Sequence, residues 1–221
     1  MFPVLYSFRR CPYAIRARYA ISFLGLRVYL REVDLKSKPQ ALLLLGGRSS
    51  VPQLIDIEGS RYPESLDIIF WSLSRVEHRL DVECIWPREC TKRNNMMAWI
   101  RYNDNIFKTW LDRYKYADRY PEYSQDYYYK KGEVFLKRLN QRLAKEPYLF
   151  GEKLSLADVA IFPFVRQFAA VNQKRFDESH YHHLKLWLQG FLDSALFKCV
   201  VMKKYPSWEN GQEDVVFPPN S

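Results

Sequence analysis

Cys11 is the residue of this 221-residue chain best placed to do chemistry. It follows the β-prone run Pro3 to Phe8 and precedes Pro12, a residue suited to a first helical position, so its thiol falls on a strand-to-helix turn. A thiol at a helix start meets backbone N–H groups and the positive end of the helix dipole. Arg9 and Arg10 before it, and Arg16 and Arg18 on the same helix, would add to that field. Each influence favours the thiolate, the nucleophilic form of a group whose unperturbed pKa is about 8.5. In Cys11-Pro12-Tyr13-Ala14 a dithiol redox spacing has lost its second cysteine to Ala14, so a mixed disulfide at Cys11 must be resolved by an outside thiol. Cys84, Cys90 and Cys199 have no such setting and read by default as small buried hydrophobes. His180, His182 and His183 lack a carboxylate or cysteine partner at ligand spacing and read as a polar helix start, so no metal is expected.

The elements that must position Cys11 alternate over the first 80 residues. After the first strand, apolar residues at 15, 19/20 and 23/24 keep a helical period that Gly25 closes. Val28, Leu30 and Val33 belong to a second strand, and Lys36 to Leu45 to a short helix ended by Gly46-Gly47. Pro52 to Ile57, a Glu58-Gly59 turn and Arg61-Tyr62 make a β-hairpin, and a helix runs from Pro63-Glu64 to about His78. The order βαβαββα is that of a thioredoxin-like α/β domain, here residues 1–80. Residues 81–89, with Pro87, read as a linker.

Beyond it the strand signals vanish. Met96, Trp99, Asn103, Phe107, Trp110 and Tyr114 keep the 3.6-residue period, as do Tyr128, Phe135, Leu139 and Leu143, which makes residues 90–204 an all-α helical bundle. Ser155-Leu156-Ala157-Asp158 is a capping box opening a helix that is apolar nearly all round, and so central, with Pro163 placed to bend it. Residues 205–221, rich in Pro, Asn and Gly, read as an irregular tail.

Composition narrows the class. With 48% hydrophobic residues the chain can bury a core, and four scattered cysteines do not make a disulfide scaffold, so a reducing, cytoplasmic setting is expected. No stretch reads as a secretion signal or a membrane span. The formal charge of +9 divides as +5 over residues 1–80 and +4 over the rest, with no basic run longer than two residues, which argues against nucleic-acid binding.

Five pieces in order, Arg10-Cys11-Pro12-Tyr13-Ala14, Lys36-Ser37-Lys38-Pro39, Val51-Pro52-Gln53-Leu54, Pro63-Glu64-Ser65 and Gly151 to Asp158, resemble the cytosolic glutathione transferases, in particular the cysteine-type, omega-like branch. The resemblance covers nearly the whole chain. It implies the glutathione transferase fold, commonly a homodimer, with glutathione as co-substrate and Cys11 as the catalytic thiol. It further implies that Val51, before a cis Pro52, pairs its backbone with the cysteinyl part of glutathione. Lys38 would reach the glycyl carboxylate with Arg48 as helper, and Glu64 and Ser65 would hold the γ-glutamyl group. Tyr13, inside the motif, is a secondary candidate. The stretch before Val51 lacks the usual Asn-Pro.

The leading function is a glutathione-dependent thiol transferase or reductase, of thioltransferase or dehydroascorbate-reductase type, acting on a disulfide or small electrophile. An acceptor site between the two domains, lined by residues such as Phe107 and Trp110, is expected, although such aromatics are more often core. The alternatives are conjugation of glutathione to an electrophile through Ser7 or Tyr6, and a non-catalytic module that binds RNA or an acidic partner.

Overall fold

The computed structural model describes residues 1–76, 79 and 82–219. Two compact units divide the chain, residues 1–78 with 193–221, and residues 79–192.

In the first unit β1 (Val4–Ser7) leads through a turn to α1 (Pro12–Phe23), and β2 (Val28–Glu32) returns parallel to β1, Leu5 opposite Leu30. Gly25 closes α1 at φ +71, a conformation that suits glycine. α2 (Gln40–Leu43) is shorter than the helix expected over 36–45. β3 (Gln53–Ile55) and β4 (Arg61–Tyr62) form the expected hairpin, its turn held by the Asp56 carboxylate, which accepts the N–H groups of Glu58 and Ser60 at 3.0 and 2.8 Å. α3 (Ser65–Ser74) follows. Its extension to about His78, and the junction at 80–81, lie outside the described residues.

The sheet order is β4-β3-β1-β2-β5, and β5 (Val215–Phe217) comes from the segment expected to be an irregular tail. It pairs antiparallel with β2, Phe217 opposite Val28, and so covers an edge that would otherwise be open. Three residues are too few to show a strand period, which is why the pattern was illegible. Side chains hold the segment as well as the backbone pairing. Phe217 is fully buried in the layer of Leu5, Ala17, Ile21, Leu30, Leu54 and Ile68, burial that contributes about 1.5–3 kcal/mol. On the other face Trp208 packs with Tyr6, Val33 and Leu42. Arg31 grips Asp214 with two hydrogen bonds of 2.7 and 3.0 Å and lies 4.0 Å over the Trp208 ring. The π-helical turn Leu196–Val201 joins this unit too, rather than the helical bundle to which residues 90–204 were assigned.

Arg16 and Arg18 are buried inside the unit. Arg16 Nε donates to Ser65 Oγ at 2.9 Å, and Arg18 Nη1 donates to Glu32 Oε2 at 3.2 Å. They were expected to strengthen the field at Cys11. With nearly every side of α1 buried, their guanidinium groups instead serve internal partners. Burial pushes the Glu32 carboxyl up and the Arg18 guanidinium down from their ordinary values, and their mutual attraction opposes both shifts.

The second unit is helical. α4 (Val82–Ile85) occupies part of the expected linker because Val82 and Ile85 are buried. α5 (Cys90–Tyr102) passes through a π-helical turn, Asn103–Phe107, into α6 (Lys108–Lys115). α7 (Gln125–Leu143) turns Tyr128, Phe135, Leu139 and Leu143 inward, and α8 (Leu156–Ala169) is buried along almost its whole length, continuing through Pro163. α9 (Gln173–Asp177) and α10 (His182–Asp193) complete the bundle. No helix among the described residues is long and apolar enough to cross a membrane.

The aromatic mass sits in this core, with Phe168 in contact with Phe107, Tyr114 and Tyr129 at centroid distances of 5.4, 4.8 and 5.4 Å. Gly132 lets α7 approach it, since a Cβ there would lie 2.5 Å from Phe168 Cε2. Gly132→Ala should therefore destabilise by about 1–3 kcal/mol through overpacking, more than the roughly 0.5–1 kcal/mol gained in helix propensity. Urea unfolding checks this, and an Ala variant as stable as the parent would refute it.

At the start of α7 the Asp126 carboxylate accepts from Lys130 at 2.8 Å and Arg175 at 2.7 Å, and these bonds hold its pKa below the usual value. A depressed folded value means stability that is present above the unfolded pKa and lost as pH falls through the folded one. Asp126→Asn should thus lose less melting temperature than the parent on acidification below about pH 4. Thermal scans between neutral and acid pH test it.

Candidate active site

Strand register places the site. β1 and β3 run antiparallel with Tyr6 opposite Gln53, so the turn leaving β1 and the segment entering β3 lie at the same end of the sheet. The first carries Cys11 and the second carries Val51 and Pro52. Cys11 is the N-cap of α1, half-buried, and its Sγ donates to the Val51 carbonyl at 3.7 Å. The Val51–Pro52 peptide is cis.

The other expected residues gather in pairs around the loop 45–52. Lys38 Nζ donates to Ser49 Oγ at 3.0 Å. Arg48 Nη1 meets Glu64 Oε1 at 3.0 Å, both side chains well exposed. Glu64 is the N-cap of α3 and Ser65 its first residue, where Ser65 Oγ accepts from Arg16. Ser65 is itself buried, 1% exposed, and its hydroxyl, which accepts from the guanidinium, keeps its own hydrogen to donate. The Tyr13 ring lies 5.0 Å from the Arg16 guanidinium carbon.

The two hydroxyl candidates are placed differently. Tyr6 is 2% exposed, and its hydroxyl accepts from Arg31 Nη1 at 2.7 Å. Ser7 is 0% exposed, and its Oγ has no hydrogen-bond partner among the described residues. Both point into the protein because the ordered C-terminal segment covers the sheet on Tyr6's side and Ser7 is enclosed. Of the aromatics expected to line an acceptor site, Phe107 is fully buried in the helical core, whereas Trp110 is half-buried between the cations of Arg113 and Lys131. Among the described residues no group of three or more His, Cys, Asp or Glu could hold a metal ion.

Sequence reasoning missed what shapes the loop. Gln53 Nε2 donates to the carbonyls of Arg48 and Ser50, both at 2.7 Å, and Gln53 Oε1 accepts from Arg61 Nε at 2.9 Å. Arg61 in turn donates to the carbonyls of Leu45, Gly46 and Arg48 at 2.6, 2.8 and 3.0 Å. These two side chains tie together the carbonyls of a loop that lacks the Asn-Pro expected from the resemblance. The available signal was a polar Gln53 on a strand position that proves to be fully buried.

A thioredoxin-like sheet with a cysteine at its first helix, a cis proline facing it and a helical second unit define the class. Residues 5–78 match the glutathione S-transferase N-terminal domain family, and residues 134–190 match the glutathione S-transferase C-terminal domain family. The chain belongs to the glutathione S-transferase superfamily. It is 27% identical over 172 residues to a probable glutathione S-transferase of Nicotiana plumbaginifolia, spanning 75% of this chain and 73% of that one. Its fold superposes on a Tau class glutathione S-transferase from mango, Mangifera indica, with a TM-score of 0.77 at 20% identity over 92% of this chain and 93% of that one. On a trimeric glutathione transferase of Leishmania the TM-score is 0.75 at 22% identity over 92% of this chain, which spans 46% of that longer protein.

Proposed function

We propose that the protein is a glutathione-dependent thiol transferase in which Cys11 is the nucleophile. The observation that carries this is the placement of Cys11 Sγ at the start of α1, 3.7 Å from the Val51 carbonyl, while the rival hydroxyls of Tyr6 and Ser7 are sealed inside. Glutathione, as an extended tripeptide, pairs with the Val51 backbone in the manner of an added strand, which brings its sulfur toward Cys11. Lys38, with Arg48 near it, takes the glycyl carboxylate. The N–H groups at the start of α3, supported by the buried Ser65, take the γ-glutamyl carboxylate, and Glu64 takes the ammonium.

The Cys11 thiolate attacks the glutathione sulfur of a mixed disulfide, forming a Cys11–glutathione disulfide as the other thiolate leaves. A second glutathione thiolate attacks the glutathione sulfur of that intermediate. Oxidised glutathione departs and Cys11 is regenerated as a thiolate. With Ala14 in place of a resolving cysteine, the outside thiol is required.

Parallel assays test the reading. Turnover of a glutathionyl disulfide should exceed conjugation of a chloronitrobenzene by at least about tenfold, and mass spectrometry of the stalled enzyme should place one glutathione on Cys11. Conjugation as the faster reaction, with Cys11 unmodified, would sink it. Conjugation is the weaker alternative because it needs Tyr6 or Ser7 to reach solvent.

A further inference from the structure

The turn that presents Cys11 is held from outside itself. Cys11 N–H donates to the Phe8 carbonyl at 3.0 Å, closing a turn with Arg9 and Arg10 at its centre. Such a turn leaves the N–H of its second residue unused. That group, Arg9 N–H, donates to Glu32 Oε1 at 2.6 Å across 23 residues of sequence. The other oxygen, Oε2, accepts from Arg18 Nη1 at 3.2 Å. Arg18 is 0% exposed and is held by the C-terminal segment, its Nη2 donating to the Lys203 carbonyl at 3.3 Å and its guanidinium carbon lying 4.9 Å from the Phe217 ring centroid and 5.7 Å from that of Tyr205. The backbone carbonyl of Glu32 also accepts from Trp208 N–H at 2.7 Å.

We propose that Glu32 is a positioning residue for Cys11: its carboxylate fixes the Phe8–Cys11 turn through Arg9 N–H, and the segment 203–217 holds that carboxylate in place through Arg18. The proposal rests on Cys11 being the nucleophile. Its physical basis is economy of donors and acceptors. A charged acceptor makes a stronger bond to Arg9 N–H than a neutral one, and a carboxylate bonded at both oxygens cannot rotate away without leaving Arg18 buried and unpaired. The consequence is kinetic, because a displacement of about 1 Å at a reacting group can lower a rate by about a hundredfold.

Two double variants isolate the effect. Arg18→Met with Glu32→Leu removes the buried charges and the acceptor for Arg9 N–H. Arg18→Met with Glu32→Gln removes the same charges and keeps an amide oxygen as acceptor. Both are made with Cys84, Cys90 and Cys199 changed to serine, so that iodoacetamide reads Cys11 alone. The Leu variant should lose about tenfold or more in kcat for glutathionyl-disulfide reduction, about 1.4 kcal/mol of barrier, with the glutathione KM within about threefold and the alkylation profile moved to higher pH. The Gln variant, which keeps a neutral acceptor but lacks the charge and the Arg18 clamp, should recover only part of that loss and fall between the Leu variant and the parent.

Equal kcat and superimposable alkylation profiles in the two variants would overturn the proposal. If the double variants do not fold, Glu32→Asp decides, because it keeps the charge but draws the carboxylate back by one methylene. A slowed Cys11 supports the proposal, and an unchanged one overturns it. If the parent fails to reduce glutathionyl disulfides while the alkylation profiles still separate the variants, the transferase reading fails and the role of Glu32 stands.

Discussion

Cys11→Ala is expected to lower glutathionyl-disulfide turnover by about a thousandfold or more, roughly 4 kcal/mol of barrier, while glutathione affinity stays within about twofold. The two quantities separate because different atoms carry them. In the proposed complex the tripeptide is held by the Val51 backbone, Lys38, Glu64 and Ser65; the three side chains have anchors of their own, Lys38 on Ser49, Glu64 on Arg48 and Ser65 on Arg16, and the Val51 carbonyl loses only the long 3.7 Å contact from the thiol. Cys11 supplies only the sulfur that exchanges, a role no neighbouring oxygen can take over with Tyr6 and Ser7 enclosed. The other cysteines, expected to be buried, are instead exposed, Cys199 in the first unit and Cys84 and Cys90 in the second. Changing those three to serine should leave turnover within about twofold. Steady-state kinetics with calorimetric titration of glutathione measures both quantities, and reductase turnover retained in Cys11→Ala would sink the assignment of the nucleophile.

Local chemistry made half of this site legible. A strand, a cysteine and a proline in succession point to a strand-to-helix turn by themselves, whereas the cis Val51–Pro52 bond is legible only through the family resemblance. The supporting residues left no such mark. Gln53 and Arg61 act on the loop 45–50 through space, and nothing in their own neighbourhoods sets them apart from an ordinary hairpin. Glu32 looks like a solvent-facing strand residue until Arg18 is known to be buried beneath it, and an arginine on a helix is ordinarily surface.

The fold shows the same division. Helical and strand periods identified both units because each period reflects burial of one face over many residues. β5 escaped because its three residues pair with β2 from the far end of the chain, so only the partner reveals it as a strand. The π-helical turn at Asn103–Phe107 also escaped. The apolar period passes through it with Phe107 still inward, so the extra residue is absorbed without a break in the pattern.

Ser155–Asp158 was read as a capping box, and the box is present, with Asp158 Oδ2 accepting Ser155 N–H at 2.9 Å and Ser155 Oγ at 2.5 Å. The other oxygen does more than a cap requires: Oδ1 accepts Leu149 N–H at 2.9 Å and Trp187 Nε1–H at 2.8 Å, joining α8 to the loop before it and to α10. Burial raises the Asp158 pKa and the four donors pull it back, so part of what they contribute offsets the cost of enclosing a carboxylate. Removing the side chain relieves that cost but leaves four donors without an acceptor in a dry core, each worth about 1–3 kcal/mol. The donors outweigh the relief, and Asp158→Ala should destabilise by about 3–5 kcal/mol, a large fraction of the roughly 5–15 kcal/mol that holds a domain folded. Ser155→Ala, which removes one donor and the cap, should cost only about 1 kcal/mol. Asp158→Asn should fall between, because its amide oxygen can still accept while its NH2 faces donors. Urea unfolding of the three variants gives the order, and an Asp158→Ala cost no greater than that of Ser155→Ala would mean that the bonds to Leu149 and Trp187 contribute nothing.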